Sequence, residues 1–201
     1  AINRCDGPAS SRSQVLLGVK MVVPTPQQLA ASANERGARR ELVIDGRVTR
    51  YWEYPAGTNA TATIIFVHGY RGNHRGLEAI AGALPTCHVL IPDLPGFGGS
   101  EAFQGPHSIE SYSKWLKGFV SLTSPNATVL GHSFGTIVVA AAAATGLTNP
   151  LVLVNPVARY GYSVSKRVMQ RFVDTFYLLC ERLPERLGSA LCSSPLFVRL
   201  M

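Results

Sequence analysis

The sequence predicts an α/β fold, a mostly parallel, doubly wound sheet with an N-terminal antiparallel hairpin. Three observations predict it. Short apolar runs alternate with segments of helical spacing from residue 62 to residue 156, the pattern of a parallel sheet covered by helices. The pair Asp45–Gly46 sits between two β-patterned runs, a hairpin signal. Glycines cluster where those apolar runs end, at 69, 96, 98, 99, 131 and 135. Loops at the carboxyl ends of parallel strands are where such folds carry function.

Taken in order, PQQLAASANERGA (26–38) is rich in Ala and Gln and reads as a helix. ELVI and RVTRYWEY flank the Asp-Gly turn and form the hairpin. ATIIFV (62–67) is a continuous apolar run, as in a strand buried on both faces. LEAIAGAL (77–84) has helical spacing, CHVLIPD (87–93) is the next strand, and a glycine-rich turn follows from Leu94 to Ser100. SIESYSKWLKGFVSL (108–122) is a helix with Ser108 as its N-cap. NATVLGH is a strand, 134–146 a helix, and PLVLVNP (150–156) a further strand.

After Pro156 the alternation stops. Val168, Phe172, Phe176 and Leu179 recur at helical spacing with charged residues between them, and LPERLGSAL follows. One or two amphipathic helices are expected there. The division is then an N-terminal helical extension (1–38), a core (39–156) and a helical segment (157–201).

Composition narrows the function classes. Nearly half of the 201 residues are apolar, enough for one sizeable core. The net charge of +7 comes from scattered residues, with only short pairs at Arg39–Arg40 and Lys166–Arg167. A nucleic-acid face clusters its basic residues, so no nucleic-acid partner is expected. No apolar run reaches the ~20 residues of a membrane span, and no signal-peptide pattern stands at residues 1–24. A soluble cytoplasmic protein is expected. Cys5, Cys87, Cys180 and Cys192 lie far apart with no CxxC, which argues against a zinc site and a disulfide framework. The Asn-Ala-Thr sequons at Asn59 and Asn126 carry no weight without secretion.

Chemistry points to GHSFGT (131–136), between a strand and a helix. Gly131 and Gly135 flank Ser133 at the spacing G-x-S-x-G. A sharp strand-to-helix turn of this kind lifts a serine hydroxyl above the sheet, and the glycines relieve contact with neighbouring backbone. The amide of Phe134, at the start of the helix, can donate to a developing oxyanion. His68-Gly69-Tyr70 closes the first core strand, and its loop can offer a second donor, the Tyr70 amide. His68 itself is explained at least as well by a structural role. The loop DLPGFGGS (93–100) lacks the following G-K-[ST] of a phosphate cradle.

HGY at 68–70, DLPGFGGS at 93–100 and GHSFGT at 131–136, in this order and spacing, resemble the α/β-hydrolase superfamily from about residue 40 to residue 156. The resemblance implies Ser133 as nucleophile, with the Tyr70 and Phe134 amides as the oxyanion hole. It implies a small-molecule acyl substrate (ester, amide or related compound), no cofactor and no metal. The helices from 157 would begin a lid. Dehalogenase and epoxide-hydrolase members carry aspartate where this chain has Ser133. Proline iminopeptidases usually carry tryptophan where it has Phe134.

In this superfamily the triad acid and histidine follow the nucleophile. Here His68, His74, His88, His107 and His132 all precede Ser133, and the later acids Asp174, Glu181 and Glu185 fall in the helical segment. The chain therefore reads as the N-terminal part of such a fold, lacking its last strands and weak or inactive alone. His68, on the neighbouring loop, is the one upstream candidate for a substitute base. The alternative is a non-catalytic relative acting as a binding or assembly module, with the raw edge at 151–155 open to pairing in a homo-oligomer.

Overall fold

The computed structural model describes residues 23–57 and 60–157, together with Arg171 and Thr175. The chain divides into two compact units, Ala1–Val157 and Ala158–Met201. The segment expected as a lid lies almost wholly outside the described residues, as do residues 1–22 of the expected N-terminal extension.

Helix α1 (Pro26–Arg36) begins on a capping box: the Gln28 amide donates to Thr25 Oγ1, and the Thr25 amide donates to Gln28 Oε1 at 2.8 Å. Pro26 opens the first turn, where its missing N–H costs nothing. The helix stops two residues short of the expected 38. Gly37 turns extended, and Ala38 already pairs with Glu53 across the hairpin. Strand β1 (Ala38–Ile44) thus starts earlier than its apolar pattern suggests, because ladder pairing overrides helix propensity. Strand β2 (Arg47–Tyr54) returns after Asp45 and Gly46, with φ of 49° and 73°. These are the two left-handed residues that a tight hairpin matched to strand twist requires.

The remaining strands are β3 (Ala62–Val67), β4 (Cys87–Pro92), β5 (Thr128–His132) and β6 (Leu151–Val154). They form one six-stranded sheet in the order β1-β2-β4-β3-β5-β6. The hairpin joins it antiparallel through β2 and β4, and β4, β3, β5 and β6 run parallel. The crossovers carry helix α2 (Glu78–Gly82), entered through a 3₁₀ turn at His74–Leu77, then α3 (Ile109–Thr123) and α4 (Phe134–Ala144). Ser108 caps α3, its hydroxyl accepting from the Ser111 amide at 3.1 Å. Helix α2 is shorter than the 77–84 pattern. Leu77 belongs to the 3₁₀ segment, and Leu84 precedes Pro85, where helical backbone is disfavoured.

Alternate residues of the central strands feed two cores. Ile65, Val67, Leu90 and Val129 pack with Trp115, Leu116 and Phe119 of α3 and with Val138 and Ala142 of α4. Phe66, Val89, Ile91 and Leu130 pack on the opposite face with Ala33 of α1 and with Leu77 and Ala81. On that second face α1 and α2 touch through backbone. A Cβ on Gly82 would stand 1.9 Å from the Leu29 carbonyl oxygen. The Arg36 guanidinium closes the contact, donating to the carbonyls of Ala81 at 2.6 Å and Leu84 at 3.3 Å. Those two carbonyls lie at the end of α2, where carbonyls lack intrahelical partners. Strand β6 forms the far edge among the described residues, with Leu151, Val152 and Leu153 all exposed.

Gly82→Ala is expected to lower stability by about 1–3 kcal/mol through this overlap, against the helix-propensity gain of removing a glycine. Gly76→Ala, which meets nothing within 4 Å, should leave stability unchanged or slightly raised. Urea midpoints of the two variants provide the check.

Candidate active site

Strand β5 runs out at His132, and α4 starts at Phe134. Ser133 makes the whole turn between them, with φ 52° and ψ −117°. A non-glycine residue held there costs about 1–3 kcal/mol and persists only where its surroundings over-determine it. They do. The Ser133 amide donates to the Val154 carbonyl at 3.1 Å, tying the turn to β6. The Ser133 carbonyl accepts from the Thr136 amide at 2.9 Å and from the Thr136 hydroxyl at 2.6 Å.

Steric contact explains the two glycines. A Cβ at 131 would lie 2.6 Å from the Gly135 carbonyl oxygen, and a Cβ at 135 would lie 2.2 Å from the Val67 carbonyl oxygen. The start of α4 is thus pressed against the end of β3. The loop after β3 meets the serine in turn, since a Cβ on Gly69 would be 3.2 Å from Ser133 Cβ. Ser133, Phe134 and the Gly69–Tyr70 loop therefore converge at the carboxyl end of the sheet. Phe134, as the first residue of α4, has an amide with no acceptor inside the helix.

Two buried side chains fasten the loops. The His68 ring accepts from the Leu94 amide at Nε2 (2.9 Å) and donates from Nδ1 to the Gly69 carbonyl (2.8 Å). Both ring nitrogens are thereby used and the neutral tautomer is fixed. Burial pushes the His68 pKa below the ordinary histidine value, outweighing the Gly69 carbonyl and the Asp93 charge, which pull the other way. His68 is not placed to be a base for Ser133; its role is structural.

Asp93, fully buried at the end of β4, accepts from the His74 amide (2.9 Å), the His74 ring Nδ1 (3.1 Å) and the Gly99 amide (2.8 Å). Burial alone would raise its pKa. The hydrogen bonds from the His74 ring and from the Gly99 and His74 amides together leave it below the usual carboxylate range. Gly98, at φ 53°, is required here, because a Cβ would fall 2.0 Å from Asp93 Oδ2. The His74 ring also stacks on Trp52 with centroids 3.2 Å apart. Ser100 completes the knot, donating to the Asp93 carbonyl at 2.7 Å and accepting from the Arg50 amide at 2.9 Å.

The other histidines are placed elsewhere. His88 bonds Glu53 at 3.0 Å, and His107 bonds the Tyr112 hydroxyl at 2.7 Å. His132 lies beside Gly69, with Nδ1 3.5 Å from where a Cβ would stand. None of the five hydrogen-bonds the Ser133 hydroxyl. Among the described residues no group of three His, Cys, Asp or Glu is placed to hold a metal ion, and no helix is long and apolar enough to cross a membrane.

The model of the alpha/beta hydrolase family matches residues 64–198, more than half of the sequence. The chain belongs to the alpha/beta hydrolase family. No curated protein matches it in sequence. Three solved structures show the same fold at low identity. A bacterial membrane phospholipase A, described as a virulence factor, is 20% identical with a TM-score of 0.60, over 81% of this chain and 61% of its own. The epoxide hydrolase CorEH is 20% identical with a TM-score of 0.60, over 78% and 56%. The haloalkane dehalogenase DatA from Agrobacterium tumefaciens C58 is 18% identical with a TM-score of 0.56, over 67% and 48%. The chain spans under two thirds of the length of each.

Asp93 and His74 did not emerge as site residues from sequence. They are 19 positions apart on different loops. The one local signal was an aspartate closing a strand ahead of a glycine-rich loop. The buried His68 ring has a measurable consequence. The folded state resists its protonation, so its contribution to stability is whole above the unfolded histidine pKa of about 6.5 and is lost as pH falls from there towards the folded value. Urea midpoints between pH 8 and 5 should fall less steeply in His68→Asn than in the parent, with the variant less stable at pH 8.

Proposed function

We propose that this hydrolase-family chain carries the nucleophile of a serine acyl hydrolase acting on a small ester, amide or related acyl compound. The observation that carries the reading is the left-handed backbone of Ser133, enforced by glycine contacts on both sides. Strain of that kind is kept where it aims a side chain. The Ser133 oxygen would attack the acyl carbon. The amides of Phe134 and Tyr70 would receive the charge that develops on the carbonyl oxygen, and such donors are worth about 10²–10³ in rate each. Serine at this place favours acyl transfer over opening an epoxide or displacing a halide. Alkylated aspartate is an ester that water can cleave, whereas alkylated serine is an ether that it cannot. Residues 157–201 would start a lid.

The proton on Ser133 needs an acceptor, and the five histidines of the chain do not supply it. Full rate therefore depends on a histidine from outside these residues. The lack of a histidine on the Ser133 hydroxyl and the exposed apolar edge of β6 favour a second reading, a binding or assembly module without catalysis.

Hydrolysis of p-nitrophenyl acetate by the 201-residue chain separates the two. Slow turnover above buffer is expected, since a serine site lacking a triad member retains up to about 10³–10⁴ over water. Ser133→Ala should remove the part that needs the nucleophile. Equal rates in parent and variant would exclude Ser133 as nucleophile, and no turnover in the parent would favour the second reading.

A further inference from the structure

We propose that the acyl group taken at Ser133 is flat and aromatic, and that the ring of Tyr70 is the surface it stacks on. This rests on Ser133 being the nucleophile. Three aromatic rings meet at this end of the sheet: Tyr70 in the loop after β3, Phe97 in the loop after β4, and Phe134 at the start of α4. Tyr70 sits between the other two. Its ring centroid is 5.8 Å from Phe97 with the planes at 72°, and 5.9 Å from Phe134 with the planes at 67°. Both are edge-to-face contacts, the arrangement that ring quadrupoles favour.

Placement and exposure give this cluster a use. Part of each ring reaches the surface: Tyr70 is 58% exposed, and Phe97 and Phe134 are half-buried. The apolar surface adjoins the serine, because a Cβ on Gly69 would stand only 3.2 Å from Ser133 Cβ and Phe134 follows Ser133 in the chain. It is also stiff. The Gly69 carbonyl takes the His68 ring N–H and the Gly72 amide at 3.1 Å, and the Leu94 amide ties the next loop to the same histidine. Behind Phe134 the Tyr112 ring makes a further edge contact at 5.7 Å, its hydroxyl bound to the Pro95 carbonyl at 3.1 Å. Tyr112 thus presents ring rather than hydroxyl. A rigid aromatic surface loses little entropy on binding. It rewards an aryl group beyond the area buried, by up to about tenfold per ring pair. A saturated group of equal size gains the burial alone.

Boronic acids, which form a tetrahedral adduct with a serine oxygen, test this without turnover. The pair 2-phenylethylboronic and 2-cyclohexylethylboronic acid differ in the ring and not in the linker. Titration calorimetry on the full chain should show the phenyl compound binding about tenfold more tightly. Tyr70→Ala, at an exposed position and with its backbone amide retained, should bring the ratio close to one, and Tyr70→Phe should keep it. Equal affinities that both vanish in Ser133→Ala would overturn the aromatic preference and leave the nucleophile standing. So would a ratio unaffected by Tyr70→Ala. Binding of neither compound, or binding indifferent to Ser133→Ala, would remove the nucleophile assignment and the preference with it.

Discussion

The site depends on one close approach, the first turn of α4 against the end of β3. Gly135 lies where a Cβ would overlap the Val67 and His68 carbonyl oxygens. With no side chain there, the helix can start immediately beyond β5, and a single residue must make the whole reversal. That residue is Ser133, and its left-handed backbone follows from the distance available. The same approach brings the loop after β3 into contact with the serine. The position of the hydroxyl, the neighbouring amide of Phe134 and the proximity of Tyr70 are thus consequences of one packing contact.

The loops around that contact are held by buried polar groups rather than by regular structure. His68 and Asp93 sit in the interior with every near hydrogen-bonding position used. Left unpaired, a buried polar group costs about 1–3 kcal/mol, and more if charged. The pairs are therefore mutually enforcing. His68 needs the Leu94 amide and the Gly69 carbonyl, and Asp93 needs His74 and Gly99, so the loops after β3 and β4 cannot move apart separately. Rigidity at the mouth of the site follows from satisfaction within it. The cost is sensitivity to acid, because a proton on His68 would displace the Leu94 amide.

Much of this was legible in the sequence, for physical reasons particular to each element. The Asp45–Gly46 turn declares itself because few residue pairs tolerate two left-handed conformations. The strands ATIIFV and CHVLIP declare themselves because strands buried on both faces admit almost no polar residue. GHSFGT was readable because its glycines answer to local overlap. The misjudged boundaries were those set by distant partners. Ala38 left the helix for pairing with β2, and the 77–84 segment gave Leu77 to a 3₁₀ turn capped by Asn73. The pairing of Asp93 with His74, and the meeting of Tyr70, Phe97 and Phe134, join residues on separate loops. No local pattern encodes either, since both arise only when β4, β3 and β5 are placed side by side.

That adjacency also separates two parts of the chemistry. Three neighbouring strands and the segments that leave them carry the proposed nucleophile, the proposed amide donors and the proposed aromatic surface. No proton acceptor for Ser133 stands among them, since none of the five histidines hydrogen-bonds its hydroxyl. In the proposed reaction, geometry and proton transfer are then separate contributions to rate. The strained turn is complete without a base, since its glycine contacts, the Thr136 hydrogen bonds and the Val154 carbonyl do not involve one. A histidine brought to the Ser133 hydroxyl would find the oxygen already aimed, and would have to supply only the movement of a proton.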